Sequence, residues 1–235
     1  MRRVSSILSI TIVLCALSAT AAHAQQSLNL SFGTFSIKGA SSRAVTNGIS
    51  DDVLVNDQDL FAFNIKDFNG LTFGADYLIG INDFIDAGLG IGYYQKTVPS
   101  VYLDFVNSDG SEIEQNLRLR ITPLTATFRV LPLGRQAPFQ PYVGAGVGFF
   151  SYKYSETGDF IFTDNSVGSG NYVGSGWATG PVILGGVRFP LGTVEIGGEV
   201  RWQHAVGNLP ADQGFAGSKI DLGGWTYVTT FNIHF

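Results

Sequence analysis

Cysteine is almost absent from this 235-residue chain, which contains a single one, Cys15. Cys15 lies in a mostly apolar stretch, Val4 to Leu17, between an arginine pair and a small-residue A-x-A motif at positions 22–24. This order is typical of a cleaved secretory signal peptide, so we expect residues 1–24 to be removed and residues 25–235 to form one domain. Without Cys15 the remaining chain has no thiol, which excludes a disulfide, a thiolate nucleophile and a cysteine metal site.

Long apolar runs and basic charge are also scarce. Beyond the leader, no stretch approaches the roughly 18 apolar residues that a spanning helix needs, which excludes helical membrane crossing. Without the leader's two arginines, 12 Lys and Arg stand against 19 Asp and Glu, a net charge of −7. This acidity argues against nucleic acid as a partner. Prolines number 8, whereas 30 glycines and 18 phenylalanines enrich the chain.

Apolar residues alternate with small or polar ones in eight segments, the pattern of strands whose two faces differ. The predicted strands are Ser27–Ile37, Leu71–Ile79, Phe84–Thr97, Gln115–Leu131, Gln140–Tyr154, Ser175–Phe189, Thr193–Ala205 and Lys219–Phe235. Such lengths cover the roughly 9–11 residues that a tilted strand needs to cross a bilayer. Short and long connections alternate, which predicts an all-β fold, an eight-stranded antiparallel up-and-down transmembrane β-barrel. Periodicity alone leaves open a soluble lipocalin-like barrel, apolar inside and polar outside.

The fourth predicted strand changes phase near Pro123. Leu117, Leu119 and Ile121 share one parity before the proline, and the apolar residues from Leu124 onward share the other. A shift of one residue moves every side chain to the opposite face, and bulges are where strands tolerate proline. The sequence therefore predicts a β-bulge at Pro123.

The long connections are predicted at 38–70, 99–114, 155–174 and 206–218. Residues 167–176 are rich in glycine, serine and asparagine, which predicts a mobile loop. Most acids fall in these connections, and we expect them to be exposed and solvated. They are Asp51, Asp52, Asp57, Asp59, Asp67, Asp104, Asp109, Glu112, Glu114, Glu156, Asp159, Asp164 and Asp212.

The last eleven residues alternate strictly, with aromatic side chains at both ends of one face. Gly224, Tyr227, Phe231 and the final Phe235 resemble the C-terminal signature of bacterial outer-membrane β-barrels, whose closing strand is read by the barrel-assembly machinery. Residues 141–149 and 88–93 resemble strands of small OmpA-like and OmpW-like outer-membrane barrel proteins. The resemblance implies an outer-membrane location, contact with membrane lipid and lipopolysaccharide, assembly by that machinery and a monomeric state.

If the apolar faces meet lipid, a set of charged residues must project into the barrel lumen. An arginine or lysine facing lipid at the midplane costs about 2–4 kcal/mol, and an unpaired charge inside a narrow lumen is also costly. We therefore expect the charges to pair as a structural polar network in preference to a gating or catalytic site. The members are Asp76, Asp86, Arg129, Arg188, Glu195, Glu199, Arg201 and His234.

Six glycines share the inward parity: Gly88, Gly90, Gly92, Gly144, Gly146 and Gly148. They leave room either for a small cavity or for tight curvature and close approach by bulky neighbours. We favour curvature, with Tyr94, Phe150 and Tyr152 helping to block the axis. An eight-stranded lumen is only just wide enough to be filled by side chains.

No catalytic residue, cofactor site or metal site emerges from the sequence. Lipid A deacylases of the outer membrane carry a serine two residues after a late-strand histidine, but here Val206 follows His204 at that spacing. We expect a non-enzymatic outer-membrane protein with a structural or surface-interaction role and a largely plugged lumen. The alternative is a narrow OmpW-type channel for small, possibly apolar, molecules, and a lipid A-modifying enzyme comes third.

Overall fold

The computed structural model describes residues 25–43, 51–162 and 164–235. The expected signal peptide, residues 1–24, lies outside the described residues. Ten strands follow one another along the chain: β1 Gln26–Ile37, β2 Gly70–Asn82, β3 Ile85–Val106, β4 Glu112–Val130, β5 Gln140–Ile161, β6 Val167–Leu191, β7 Val194–Gln203, β8 Val206–Asn208, β9 Lys219–Asp221 and β10 Gly224–His234. The helices are α1 Ala40–Arg43 and α2 Val53–Asp57, with 3-10 turns at Ile65–Phe68 and Ala211–Gln213.

Eight of the strands close into a barrel in the order β1-β10-β7-β6-β5-β4-β3-β2. Every neighbouring pair is antiparallel, and β1 closes the ring on β10 from Ser27↔His234 to Ile37↔Gly224. The predicted all-β, eight-stranded up-and-down barrel is confirmed. Strands β8 and β9 form a separate two-stranded sheet. No helix in the described ranges is both long enough and apolar enough to span a membrane.

The two ends of the barrel differ. At one, which we call the turn end, the β2–β3, β4–β5 and β6–β7 connections are short, and both ends of the described chain lie there. At the other, the loop end, β3–β4 and β5–β6 continue as long hairpins that turn at 107–111 and 162–166. The prediction of a mobile loop over 167–176 is wrong, because these residues are the paired start of β6. Small side chains fit a strand here because β5 supplies the bulky partners Phe160 and Tyr154.

An apolar belt surrounds the barrel next to the turn end. Leu30, Leu89, Phe128, Val143 and Ile183 point outward and are exposed, as are their neighbours on the same faces. A continuous ring of this kind is far larger than the apolar patches that water-facing surfaces carry, and it matches the lipid-facing band of a transmembrane barrel. All three tryptophans, Trp177, Trp202 and Trp225, lie toward the loop end of this belt, where aromatic girdles occur.

The predicted bulge at Pro123 is wrong. β4 pairs with β5 without any register shift from Gln115↔Gly158 to Val130↔Val143, so the odd-numbered residues of β4 face inward throughout. Leu119 is buried inside the barrel and Leu124 is exposed outside it. At Pro123 the surroundings of the strand change. Its outer surface faces lipid toward the turn end and water toward the loop end.

This level divides the barrel in two. The membrane section comprises the strands from the turn end to Thr122 and Ser151, and the outer section comprises everything beyond them. In the membrane section the outside is apolar and the inside polar, whereas the outer section buries the main apolar core. Residues 53–68 of the β1–β2 connection fold into this core, with Leu54, Ile65 and Phe68 almost completely buried.

Candidate functional site: charged and apolar groups inside the barrel

A group of ion pairs lies in the lumen of the membrane section. Arg129 on β4 is fully buried, and its Nη2 lies 3.2 Å from Asp76 Oδ2 on β2 and 3.4 Å from Glu199 Oε2 on β7. Arg201 Nη2 lies 2.7 Å from Glu199 Oε1 and 3.3 Å from Asp76 Oδ2. Because β2, β4 and β7 lie two or three positions apart around the ring, these pairs cross the lumen and do not follow one sheet surface.

A second group lies nearer the turn end. Arg188 Nη1 lies 3.1 Å from Asp86 Oδ2 and 3.9 Å from Glu195 Oε2. His234 Nε2 lies 3.0 Å from Glu195 Oε1. All eight residues of the expected lumen set thus lie in these two groups, with every arginine beside at least one carboxylate.

Three further residues belong to this network that sequence reasoning missed. Arg135, in the β4–β5 connection, reaches into the barrel to pair with Asp86. Tyr142 donates to Glu199 Oε2 at 3.0 Å, and its ring faces the guanidinium of Arg188 at 4.5 Å. Asn29 donates to Asp76 Oδ2 at 3.2 Å. Tyr142 and Asn29 lie at inward-facing positions of their strands, so the alternation of the sequence could have identified them. Arg135 lies in a turn, where no alternation indicates its direction.

The inward glycines are where bulky neighbours approach. A β-carbon at Gly90 would lie 2.1 Å from the Asp76 carboxylate, and one at Gly148 would lie 2.4 Å from the Phe150 ring. Both side chains therefore use the space that glycine leaves free. A cavity of about 40 Å³ does lie inside the barrel, lined among others by Asp76, Gly92 and Arg201. That is room for roughly three water molecules.

The apolar core of the outer section lies inside the barrel beyond the ion pairs. Phe150, Tyr94 and Tyr152 are buried there against the inserted segment 53–68 and the β8–β9 sheet. Tyr94 donates to the carbonyl of Phe68, and Tyr152 donates to the carbonyl of Asn208 at 2.6 Å. These two hydrogen bonds therefore hold the β1–β2 connection and the β7–β10 connection over the barrel axis.

Three acids expected on the surface are instead buried in the outer section. Asp52 caps α2 by accepting from the Leu54 amide at 3.1 Å, and it pairs with Arg43 at 2.9 Å. Asp57 accepts from Tyr154 Oη at 2.7 Å, and Glu156 lies beside them. The expectation that Asp52, Asp57 and Glu156 are exposed is wrong. Asp52 and Asp57 become buried because their segment folds into the barrel, and Glu156 because β5 continues past Tyr154 with unchanged parity.

Asp57 and Glu156 are buried beyond the membrane section, and no ion pair joins either of them to a basic residue in the part of the chain that the structure describes. Burial, reinforced by the Glu156 carboxylate, raises the pKa of Asp57 well above its ordinary value. Burial likewise raises the pKa of Glu156 to about 7, against the lowering effect of the Tyr154 hydrogen bond. These two carboxyls therefore retain protons at pH values where exposed acids are ionised.

The residues of the expected assembly signal lie on β10 and just after it. Tyr227, Phe231 and Phe235 share its outward, exposed face, and Phe235 is 70% exposed. Gly224 begins the strand on the inward side, where a β-carbon would meet Ser36 and Phe35. The Phe235 amide donates to the Gln26 carbonyl at 3.1 Å, so the last residue still pairs with β1.

His204 lies outside the lumen network. Its Nδ1 is 2.8 Å from Lys38 Nζ, which also pairs with Asp221 at 2.8 Å, and its ring stacks near Trp202. Among the described residues, no group of three or more His, Cys, Asp or Glu side chains is arranged to hold a metal ion.

Comparison with known proteins gives similarity in structure alone. No family model matches the chain. No curated protein matches it in sequence. Solved structures with a similar chain path include Neisserial surface protein A, NspA, at 11% identity and a TM-score of 0.47, covering 90% of this chain and 99% of that one.

Two further structures resemble the chain to a similar degree. The outer membrane protein OprG of Pseudomonas aeruginosa is 14% identical, with a TM-score of 0.46 over 90% of this chain and 94% of that one. Ail, the attachment invasion locus protein of Yersinia pestis, is 12% identical, with a TM-score of 0.45 over 90% and 99%. The fold class here rests on this chain itself: the closed strand pairing shows an eight-stranded antiparallel β-barrel, and the exposed apolar belt is that of a transmembrane barrel.

Proposed function

We propose that this chain is a monomeric, non-enzymatic outer-membrane barrel with a closed lumen, whose role is structural or lies in surface interaction. The observations that carry the proposal are the paired charges inside the membrane section and the apolar core of the outer section, which we interpret as two closures of the lumen. A solute following the axis would have to separate buried ion pairs and then displace residues 53–68. Separating a buried ion pair leaves uncompensated charges in the narrow lumen, which is costly, so thermal fluctuation opens such a path rarely.

The outer-membrane placement is part of the same proposal. The apolar belt, the tryptophans at its loop-end side and the outward aromatic face of β10 support it. The leader would deliver the chain across the inner membrane and be cleaved, and the assembly machinery would read the strand that ends at Phe235. The turn end would then face the periplasm, with the outer section above the lipopolysaccharide surface.

A narrow channel is the second candidate. The 40 Å³ cavity touches Pro123, and the β3–β4 pairing skips from Ile91↔Leu124 to Tyr94↔Ile121 beside it. Pro123 has no N–H to donate, which explains why the β3–β4 pairing is interrupted there. A path for small molecules would have to start at this weak point of the wall.

Conductance of the refolded protein in planar bilayers tests the proposal. We expect no steady current from the unaltered chain, and none when only one closure is opened, either by Asp76→Ala/Asp86→Ala, which removes one acid from each charged group, or by deletion of residues 53–68. Combining the two changes should produce openings. The matched control combines the same deletion with Asp104→Ala/Asp109→Ala, which removes two exposed acids of the β3–β4 hairpin. Uniform, persistent openings of the unaltered chain would contradict the closed lumen and support the channel function.

A further inference from the structure

The unpaired basic side chains are unevenly distributed. Of the 12 Lys and Arg in the described ranges, seven are in ion pairs: Lys38, Arg43, Arg129, Arg135, Arg188, Arg201 and Lys219. The other five are Lys66, Lys96, Arg118, Arg120 and Lys153. Three of these five, Arg118, Arg120 and Lys153, stand together on the outer face of β4 and β5 and are exposed. We call these three the basic patch.

The members of the basic patch are direct neighbours in the sheet. Arg120 lies opposite Lys153 in the β4–β5 register, and Arg118 is the next outward-facing residue along β4. Arg118 Nε donates to Thr97 Oγ1 at 3.2 Å, which holds its side chain along the sheet surface. Like charges directly opposite one another destabilise a strand pair, so this arrangement lacks an anion that would offset the repulsion.

The height of the basic patch relates it to the membrane surface. The belt ends on these strands at Leu124 and Phe149, an outward-facing pair, and Thr122 and Ser151 follow. Arg120 is the next outward position, roughly 13 Å along the strand from Leu124 at about 3.3 Å per residue, and less in height because the strands tilt. That is the level of lipid headgroups, and long basic side chains reach back toward them.

The charges are also sorted along the strand. On the outer face of β4 the acids are Glu112 and Glu114, the latter six residues beyond Arg120 toward the hairpin tip. Within the described residues, the outer faces of β1, β7 and β10 carry no base at the same level, and present Trp202, Trp225 and Tyr227 instead. Positive charge is thus confined to one side of the barrel at headgroup height.

We propose that Arg118, Arg120 and Lys153 form a binding site for a phosphate group of lipid A in the outer leaflet, an inference that rests on the outer-membrane placement proposed above. The two guanidinium groups offer forked N–H donors to phosphate oxygens, and Lys153 supplies a third, point-like charge. The sugar-phosphate headgroup lies against the sheet while the acyl chains follow the belt below it. The bound phosphate offsets the repulsion between Arg120 and Lys153 directly, without a bridging metal ion.

Native mass spectrometry of the refolded protein in neutral detergent micelles tests the site. The ligands are bisphosphorylated lipid A, the same lipid without phosphates, and soluble glucosamine phosphate. The unaltered chain should bind the first most tightly, and binding should persist in EDTA. Arg120→Gln/Lys153→Gln should weaken binding by about tenfold or more, since each lost charged hydrogen bond is worth about that factor.

The matched control is Lys66→Gln/Lys219→Gln, which removes the same charge from exposed positions outside the basic patch and should leave affinity unchanged. Equal affinity of the patch variant and the control overturns the site, as does equal binding of the lipid without phosphates. Comparable binding of soluble glucosamine phosphate overturns the assignment to a membrane lipid, and loss of binding in EDTA overturns direct contact in favour of a metal bridge. Heat-modifiable mobility on gels verifies folding of each variant.

Failure here is distinguishable from failure of the proposed function. A steady current together with intact, phosphate-dependent binding contradicts the closed lumen and supports the site. A silent bilayer together with unselective binding overturns the site and leaves the closed barrel standing.

Discussion

The membrane section and the outer section use one continuous set of strands in opposite ways. On β4, Leu124 faces outward and is 40% exposed, while Leu119 faces inward and is fully buried, although nothing interrupts the strand between them. In lipid, apolar groups gain nothing by turning inward, so the membrane section hides its charges. In water, apolar burial is the dominant stabilising term, so the outer section hides its leucines and aromatics. The difference teaches that solvent decides what each side of a barrel strand carries.

The largest loss of stability is expected from a substitution in the membrane section. Arg129→Ala removes the guanidinium that lies between Asp76 and Glu199 and leaves two buried carboxylates with less compensation. We expect a loss of about 3–5 kcal/mol in the free energy of unfolding. Urea unfolding of the refolded protein measures it. Arg118→Ala, an exposed arginine on the same strand, is the control and should stay within about 0.5 kcal/mol.

Two leucines of β4, one in each section, test the difference between the sections directly. Leu119→Ala leaves a cavity in the apolar core and should cost about 2–5 kcal/mol. Leu124→Ala should cost clearly less, because lipid or detergent chains fill the space that the side chain vacates. Both values come from the same urea titration. Equal losses would mean that the outer surface at Leu124 is not lipid-facing, and would count against the division into two sections.

A smaller effect is expected from the buried acids Asp57 and Glu156. Their raised pKa values mean that the folded chain holds protons that the unfolded chain has released, so the docked segment 53–68 is most stable at low pH. Its stability should fall as the pH rises through about 7, the pKa of Glu156.

Trypsin cleavage after the exposed Lys66 reports this loosening. The ratio of cleavage rates between the unaltered chain and Glu156→Gln, taken at the same pH, cancels the pH dependence of the protease. We expect that ratio to rise between about pH 5 and about pH 8. The groups facing the pair from the packed elements are Tyr154, Tyr102, Tyr172 and Asp52. A ratio independent of pH would contradict the raised pKa values.

The smallest effect on stability is expected at Phe235. Its side chain is largely exposed, so Phe235→Ala should change the free energy of unfolding by no more than about 0.5 kcal/mol in vitro. If the assembly machinery reads this residue, the same change should lower the folded, heat-modifiable fraction in cells. Leu191→Ala, which shortens a similarly exposed side chain near the turn end, is the control. An unchanged folded fraction of the Phe235 variant in cells would contradict a role of Phe235 in assembly.

The alternation of side chains predicted the membrane section well. Eight strands and the inward position of the charged set follow from period-2 patterns, because the two faces of those strands meet different surroundings. The same rule predicts a shifted register at Pro123, which is wrong because the polarity of the two faces reverses there while the register continues. It also ended β5 too early and began β6 too late, because both strands extend into residues whose local composition indicates a loop.

The sequence by itself determined the barrel, its lipid-facing belt and which side chains enter the lumen, because a strand's parity places each residue on one of two sides. Only the tertiary structure decided what those side chains meet. Arg135 reaches Asp86 from a turn, Asp57 reaches Tyr154 from a segment 97 residues earlier, and residues 53–68 fill the outer section. Such contacts depend on how connections fold back over the barrel axis, and that path leaves no periodic trace in the chain.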